Sequence, residues 1–272
     1  MRVRIGNNMN VAQSHQHPWW GLVLLGVAVG LASGMFGVGG GIIIVPVLVY
    51  LFHIDQRIAS GTSLLAIVPT ALAGVVAYGM HGNVSVLLAV LMAIGSVVGA
   101  PMGAWLLQRL PKRALQLSFM AFLVVIIVSL FLVLPNRESA VHINMALGAL
   151  LVVLGFVAGV ASGLFGIGGG VVVVPLLVLV FGTSDLVAKG SSLLMIIATS
   201  MSGTVANLRQ KNVDLRAAAY IGVAAGVLTP VGSLIASTLS PFAANVAFAV
   251  FLVLVIVRMA FDVWPRRKPT QG

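Results

Sequence analysis

The feature that most constrains this chain is a succession of long apolar segments that contain almost no charge. Of its 272 residues, 60% are apolar and only 7% are charged, whereas a soluble domain carries about 25% charged residues. Apolar runs of roughly 17 to 25 residues, the length needed to cross a bilayer, recur along the chain. In lipid such a run must satisfy its own backbone hydrogen bonds, which a helix does. The sequence therefore predicts an all-α polytopic membrane protein.

The chain contains the same glycine-rich stretch twice. LASGMFGVGGGIIIVP begins at Leu31 and VASGLFGIGGGVVVVP begins at Val160, and ten of the sixteen positions are identical. The same offset of 129 residues aligns further features: Gly26, Gly30 and Gly34 with Gly155, Gly159 and Gly163; ASGTSLL at Ala59 with AKGSSLL at Ala188; and Pro101 and Gly103 with Pro230 and Gly232. A repeat at a fixed offset indicates two structurally equivalent halves.

Each half contains five predicted helical segments. They cover 18–34, 41–53, 56–79, 85–108 and 113–134 in the first half, and 142–163, 170–182, 186–207, 215–239 and 242–263 in the second. The predicted organisation is a disordered cytoplasmic tail (1–17), transmembrane repeat 1 (18–134), a linker (135–141), transmembrane repeat 2 (142–264) and a cytoplasmic tail (265–272). Segments 41–53 and 170–182 are short, since thirteen helical residues rise only about 20 Å.

Basic residues predict how the halves are oriented. They cluster in the N-terminal tail, around Arg109, around Arg209 and in the C-terminal tail, and membrane proteins keep such clusters cytoplasmic. All four clusters share one face if each half crosses the membrane an odd number of times, as five spans or as three spans plus a re-entrant hairpin. An odd number of crossings makes the halves inverted-topology repeats, an arrangement typical of transporters. Both termini are then cytoplasmic.

The composition also bears on other classes of function. The net charge of +10 lies in loops and tails, so it favours contact with a lipid bilayer over a nucleic-acid partner. The chain has no cysteine, which excludes disulfides, thiolate metal sites and a cysteine nucleophile. The acidic residues all fall in or near predicted loops or segment ends: Asp55, Glu138, Asp185, Asp214 and Asp262. We therefore expect neither an enzyme nor a bound cofactor.

The GVGGG and GIGGG runs predict breaks between helices. Glycine costs about 1 kcal/mol in a helix interior and unpaired backbone in lipid costs several, so a break must be buried in protein or line a cavity. A half-helix that begins at Gly41 or Gly170 has unpaired N–H groups and a partial positive charge at its start. Such a start binds anions. In inverted repeats the two starts are expected to meet near the bilayer midplane; the alternative is that the glycines only allow close helix packing.

Several neighbouring side chains are candidates for the same site. Hydroxyl residues at matching positions can donate hydrogen bonds to a ligand or bond back to their own helix. Lys189 adds a charge where the first half has Ser60. Phe36 and Phe165 either line the cavity or contribute only to packing. The predicted substrate site comprises Phe36, Gly37, Gly39, Gly40, Gly41, Thr62, Ser63, Phe165, Gly166, Gly168, Gly169, Gly170, Lys189, Ser191 and Ser192.

The duplicated GxFGxGGG-xxxxP motif, followed about 15 residues later by GTS or GSS and Leu-Leu, resembles the sulfite exporter TauE/SafE family, also called the toluenesulfonate uptake permeases. The resemblance covers residues 19–264. It implies a bacterial inner-membrane carrier for sulfur-containing anions, such as sulfite, sulfoacetate or thiosulfate-like species. The family's motif residues are here Gly34, Phe36, Gly37, Gly39, Gly40, Gly41 and Pro46, and Gly163, Phe165, Gly166, Gly168, Gly169, Gly170 and Pro175.

The expected function is secondary transport of small sulfur-containing anions by alternating access, with the anion held at the interface between the repeats. A carrier or channel for another small anion, an intramembrane enzyme and a membrane scaffold are the alternatives. Neither glycine run has GxGxxG spacing and no GK[ST] follows, which argues against nucleotide binding. The direction of transport, the coupling ion and the oligomeric state stay open.

Overall fold

A computed structural model describes residues 18–132 and 145–263, and every regular element in these ranges is an α-helix. The helices are α1 (Trp19–Phe36), α2 (Gly41–Tyr50), α3 (Gln56–Gly79), α4 (Val86–Arg109), α5 (Lys112–Leu132), α6 (Met145–Phe165), α7 (Gly170–Phe181), α8 (Asp185–Arg209), α9 (Leu215–Thr238) and α10 (Pro241–Val263). The predicted all-α fold is confirmed. The predicted tails (1–17 and 265–272) and linker (135–141) lie outside the described residues.

Each predicted segment corresponds to one helix, and the ends differ by at most three residues. The prediction that the second segment extends to residue 53 is wrong, because α2 ends at Tyr50. Beyond it the chain tightens, with the Ile54 N–H donating to the Leu48 carbonyl at 2.9 Å. His53 adopts a φ of 55°, which a helix does not contain.

The outer surface of the helices is apolar. Within the described residues, six helices are long and apolar enough to cross a membrane, namely α1, α3, α4, α6, α8 and α9. On α4, one stripe of large apolar side chains is 48–61% exposed: Val86, Val90, Ile94 and Val98. A soluble monomer rarely exposes such a continuous apolar surface, whereas a bilayer covers it. The chain is a multi-pass membrane protein.

Glycines allow two pairs of helices to pack closely along their length. A Cβ on Gly30 of α1 would clash with the carbonyl oxygen of Ala225 on α9, and one on Gly34 would clash with that of Thr229, one turn further on. The two helices are therefore parallel. Glycines of α6 contact α4 in the same way. Only glycine permits this approach, as in other membrane helix pairs.

Hydrogen bonds show which helix ends lie together. The N–H of Asp214, just before α9, donates to the Thr62 hydroxyl near the start of α3 at 2.9 Å. The N–H of Ser85, just before α4, donates to the Ser191 hydroxyl near the start of α8, also at 2.9 Å. We call the end of the bundle where α1, α3 and α9 begin the first end. At the second end α4, α6 and α8 begin.

The two short helices each form a hairpin with the helix that precedes them. Gly21, near the start of α1, lies against the ring of Phe52, just beyond the end of α2. The α1–α2 hairpin therefore enters and leaves at the first end. The α6–α7 hairpin belongs to the second end, because α6 begins there and α7 ends shortly before α8 begins. The sequence leaves two arrangements open for each half, five spans or three spans plus a re-entrant hairpin. The structure has the second arrangement, in which a hairpin is followed by three further helices.

Contacts between the halves are reciprocal. Thr62 and Ser191 are 129 positions apart, and so are their partners Ser85 and Asp214. Contacts that exchange in this way are what a two-fold relation produces. The inverted topology predicted from sequence concerns the orientation of the halves in a bilayer, and it stays a prediction.

Candidate functional site

Each glycine cluster forms a tight reversal between a long helix and a short one. The φ angles of Gly37, Gly39 and Gly40 are 69°, 75° and 83°, a left-handed conformation that L side chains disfavour. The corresponding angles in the second half lie between 72° and 85°, at Gly166, Gly168 and Gly169. The short helices then begin at Gly41 and Gly170, so the predicted breaks and half-helix starts are present at these residues.

The start of each short helix has main-chain donors without a main-chain acceptor. Before α2, the N–H groups of Ile43 and Ile44 donate to the Gly40 carbonyl at 3.0 and 3.2 Å. Within the described residues, the N–H groups of 39–42 have no such acceptor, and neither do those of 168–171. No side chain caps either helix start. Four consecutive free donors at a helix start form a site suited to an anion.

The two turns are in direct contact. A Cβ on Gly41 would lie 2.6 Å from the Cα of Ile167, and one on Gly170 would lie 2.8 Å from the carbonyl oxygen of Gly37. Neither position has room for a side chain. The structure thus brings together the two glycine clusters that the sequence assigns to one site.

Two isoleucines place this contact at the middle of the bundle. Ile67 and Ile196 stand halfway along α3 and α8, and both are fully buried. A Cβ on Gly39 would lie 2.9 Å from Ile67 and 3.4 Å from Ile196, and one on Gly168 would lie 3.2 Å from Ile196. The turns therefore meet halfway between the two ends of the long helices.

A serine from each half bonds to the turn of the other half. The Ser192 hydroxyl donates to the carbonyl of Gly37 at 2.7 Å and lies 2.8 Å from the carbonyl of Lys189. The Ser63 hydroxyl donates to the carbonyl of Gly166. Because a hydroxyl has a single proton, these two would have to exchange partners to donate to a ligand. Their predicted role in binding stays a prediction.

Thr62 and Ser191 precede these serines and accept the two N–H groups that join the helix ends of the two halves. Their hydroxyl oxygens thus stabilise the contact between the halves. A role as donors to a ligand stays a prediction.

Lys189 is a buried charge beside the first turn. It is 6% exposed, and a Cβ on Gly37 would lie 2.8 Å from its Cγ. Its ammonium lies 3.3 Å from a carboxylate oxygen of Asp185, one turn earlier on α8. The sequence predicts Asp185 only as an acid in or near a loop or segment end. It does begin α8, yet it is 5% exposed and paired inside the protein.

The phenyl rings of the motif contact the outer helices. Phe36 stacks on Phe248 of α10 with ring centroids 4.5 Å apart. Phe165 lies 5.1 Å from Phe119 and 5.3 Å from Phe122, both on α5. Each ring therefore couples its turn to a helix that packs outside the hairpins. A part in binding stays a prediction for both rings.

Two buried serines that sequence reasoning missed lie next to the turns. Ser33 and Ser162 are fully buried, and their hydroxyls have no hydrogen-bond partner within the described residues. Ser33 lies one helical turn after Val29, whose side chain contacts Gly40, so both face the turn. Ser162 has the same relation to its own turn. The sequence signal that could have identified these serines is the tripeptide Ala-Ser-Gly, which precedes both glycine clusters.

An open cavity of about 410 Å³ lies at the first end. It is lined by Asp55, Gln56, Arg57, Ile58, Leu110, Leu115, Lys211 and Asn212. Ser60 follows Gln56 by one helical turn and contacts Gly166, so the cavity lies about one turn from the second glycine cluster. In the described ranges no three His, Asp or Glu side chains come together to hold a metal ion.

Comparison with known proteins identifies the family of the chain. The family model described as sulfite exporter TauE/SafE matches residues 2–130 and 151–272. The chain belongs to the TauE/SafE family. No solved structure is significantly similar to it.

The TauE/SafE relatives include proteins from several organisms. The probable membrane transporter protein YunE of Bacillus subtilis is 31% identical over 220 residues, which are 71% of this chain and 79% of the relative. A probable membrane transporter protein of Xylella fastidiosa is 31% identical over 248 residues, 88% of this chain and 92% of the relative. The probable membrane transporter protein MJ0441 of Methanocaldococcus jannaschii is 25% identical over 162 residues, 57% of this chain and 60% of the relative.

Proposed function

We propose that the chain is a secondary transporter of small sulfur-containing anions, with sulfite and organosulfonates such as sulfoacetate as the substrate class. The observation that carries the proposal is the contact between two half-helix starts whose N–H groups have no main-chain acceptor. The family description, sulfite exporter TauE/SafE, supports sulfur as the central atom of the anion. The relatives' names support transport rather than enzymatic activity.

The proposed site binds the anion between the starts of α2 and α7. Sulfite and sulfonate groups carry oxygens spread around one centre, which suits donors that converge from two directions. The main-chain N–H groups of Gly41 and Gly170 supply these donors. The hydroxyls of Ser33 and Ser162 add donors that otherwise lack a partner. Lys189 adds the positive charge.

The contact between the turns supports a mechanism of alternating access. In this structure Gly41 packs against Gly166 too closely for an anion to lie between them, so binding requires the two hairpins to move apart. The cavity at the first end lies about one helical turn from Gly166, and Arg57 and Lys211 line it. Basic side chains in a cleft raise the local concentration of anions. We propose that the cavity is the vestibule on this side and that one repeat rocks against the other.

We further propose that the first end faces the cytoplasm of a bacterial cell, which makes the repeats inverted in the inner membrane. The described basic residues at this end are Arg57, Arg109, Lys112, Arg113, Arg209, Lys211 and Arg216. Exposed tryptophans also mark this end, at Trp19 and Trp20, and Trp105 stacks under Arg109 at 3.9 Å. Tryptophan is typical of either membrane interface, and the excess of basic residues is typical of the cytoplasmic one.

The proposal is tested by reconstituting the purified protein in liposomes and measuring uptake of sulfite, sulfoacetate, methanesulfonate, sulfate and acetate. We expect saturable uptake of the sulfite or sulfonate anions that is accelerated by the same anion on the opposite side. Preference for sulfate or acetate would identify a carrier of another anion. Non-saturable conductance would identify a channel. No flux of any of these anions would favour a scaffold and contradict the proposal.

A further inference from the structure

The two halves differ in charge at one equivalent pair of positions. Asp185 and Lys189 at the start of α8 correspond to Gln56 and Ser60 at the start of α3. The main-chain contacts of Lys189 and Ser60 are equivalent, because Lys189 packs against Gly37 as Ser60 packs against Gly166. The structure therefore contains a neutral version and a charged version of one site.

This comparison shows that the packing does not require the charges. Burial of an ion pair costs desolvation energy that the attraction between the charges offsets only in part, and neutral replacements are often as stable. At the start of α3, Gln56 and Ser60 fill the equivalent positions and are buried. Ionisable residues inside the membrane domain of a transporter commonly serve substrate or proton movement. The Asp185–Lys189 pair is thus a candidate for function rather than stability.

The position of Lys189 links the pair to the proposed anion site. Ser192 lies within hydrogen-bond distance of both the Lys189 and the Gly37 carbonyls, so the lysine and the turn form one unit. The Lys189 ammonium is held by Asp185 at 3.3 Å. An anion at the turn would compete with the Asp185 carboxylate for this ammonium.

Two titratable side chains besides Lys189 lie at the same end of the bundle as Asp185. The Tyr78 phenol of α3 is close enough to interact electrostatically with Asp185, but its hydroxyl donates to the Gly34 carbonyl at 2.6 Å. His81, in the loop after α3, is exposed and lies 2.9 Å from the Ala77 carbonyl. Within the described residues, these two and Lys189 are the titratable side chains at this end of α3, α4 and α8, since Arg57, Arg109 and Arg209 lie at the opposite ends of these helices.

We propose that Asp185 is the carboxylate that couples anion transport to protons, an inference that rests on the proposed transport function. When the anion takes Lys189 as its counterion, the Asp185 carboxylate binds one proton from water at the second end. An O–H bond of a hydronium ion in that water breaks as the carboxyl O–H bond forms, nothing is oxidised or reduced, and a monovalent anion moves with a proton without net charge. Release of the anion returns Lys189 to Asp185 and releases the proton.

The test uses methanesulfonate, because its conjugate acid is not populated near neutral pH and any coupled proton must be carried by the protein. Wild-type proteoliposomes with about one pH unit across the membrane are expected to accumulate methanesulfonate about tenfold. Asp185→Asn is expected to abolish this accumulation while retaining exchange of internal for external methanesulfonate, since exchange needs binding and movement but no net proton transfer.

Two further variants control for folding and for the general loss of a carboxylate. Asp214→Asn removes a carboxylate that accepts the N–H groups of Arg216 and Ala217 at the start of α9; asparagine caps helices equally well, so coupling should be unchanged. If Asp185→Asn does not fold, the double variant Asp185→Gln with Lys189→Ser introduces the residues that the first half already contains at these positions. It is expected to fold, to exchange methanesulfonate with weaker affinity and to show no proton-driven accumulation.

The outcomes separate the two proposals. Wild-type exchange without any response to the pH gradient would overturn the coupling role and leave the transport function intact. Accumulation by a folded Asp185 variant at the wild-type level would also overturn it, as would loss of exchange together with accumulation. Absence of both methanesulfonate and sulfite transport in the wild type would instead contradict the proposed function itself.

Discussion

At the scale of single residues, six glycines shape the candidate site because their main chains take up left-handed conformations. They are Gly37, Gly39, Gly40, Gly166, Gly168 and Gly169. A β-carbon at such a position costs roughly 1–2 kcal/mol through local strain alone. Where the neighbouring main chain is also close, the added carbon crowds the donors that are proposed to bind the anion.

Gly169→Ala is predicted to weaken sulfonate binding by about tenfold, which corresponds to about 1.4 kcal/mol. Its φ is 85° and the new Cβ would lie 3.0 Å from the Ala158 carbonyl oxygen. The matched control is Gly182→Ala, because Gly182 has a φ of 63° with nothing within 4 Å of the added carbon. Calorimetric titration of the purified variants measures the effect. Equal affinities in Gly169→Ala and Gly182→Ala would contradict the site.

Ser162→Ala is predicted to leave the melting temperature unchanged or slightly raised while weakening anion binding. Its hydroxyl is buried without a partner, so its removal relieves a desolvation cost. Ser192→Ala is the contrasting variant, since it loses the bond to the Gly37 carbonyl and should lower stability by about 1 kcal/mol. Thermal unfolding and sulfonate titration are measured on both. Wild-type affinity in Ser162→Ala would show that this serine is not a ligand.

The sequence predicts some of these residues and not others for a physical reason. Three consecutive glycines predict a break between helices, so Gly39, Gly40 and Gly41 can be identified from the sequence alone. The partner of Ser192 lies 155 positions away, and only the assembled bundle brings the two together. The burial of Asp185 likewise depends on α3 packing against α8, which no local pattern reveals.

At the scale of helices, spaced glycines determine which helices pack as pairs. On α4, a Cβ on Gly99 would lie 2.9 Å from the main-chain nitrogen of Val160 on α6. On α6, by contrast, a Cβ on Gly148 would meet only the end of the Leu91 side chain at 3.9 Å. These two helical glycines thus have very different steric surroundings.

Gly99→Ala is therefore predicted to destabilise the protein, because α4 and α6 must separate to accept the methyl group. Gly148→Ala is the control, and it should be neutral or stabilising by up to about 1 kcal/mol through helix propensity. The measurement is thermal unfolding in detergent. A melting temperature for Gly99→Ala at or above that of Gly148→Ala would contradict the packing described.

The ten helices of the described ranges follow from the apolar pattern, with ends within three residues. The hairpins do not follow from it. With 18 residues, α1 is itself long enough to span a membrane, so five spans and a hairpin fit the sequence equally. The contact between Gly21 and Phe52 distinguishes them, because it brings the start of α1 to the end of α2.

At the scale of the whole molecule, the proposed transport requires that the two ends of the bundle face opposite sides of the membrane. The chain has no cysteine, so single introduced cysteines report accessibility without background. Arg209→Cys lies at the first end and His81→Cys at the second, and both positions are exposed. In intact cells, a membrane-impermeant maleimide is expected to label His81→Cys, whereas Arg209→Cys should react only after permeabilisation. Labelling of both from outside, or the reverse pattern, would contradict the proposed orientation.

The central claim is that the two half-helix starts bind the anion with main-chain donors. The most direct measurement is a crystal structure with bromoethanesulfonate, in which anomalous scattering from bromine locates the ligand. We expect a sulfonate within hydrogen-bond distance of the main-chain nitrogens of Gly41 or Gly170. A ligand found only elsewhere, for example in the cavity beside Arg57 and Lys211, with the glycine turns still in contact, would contradict it.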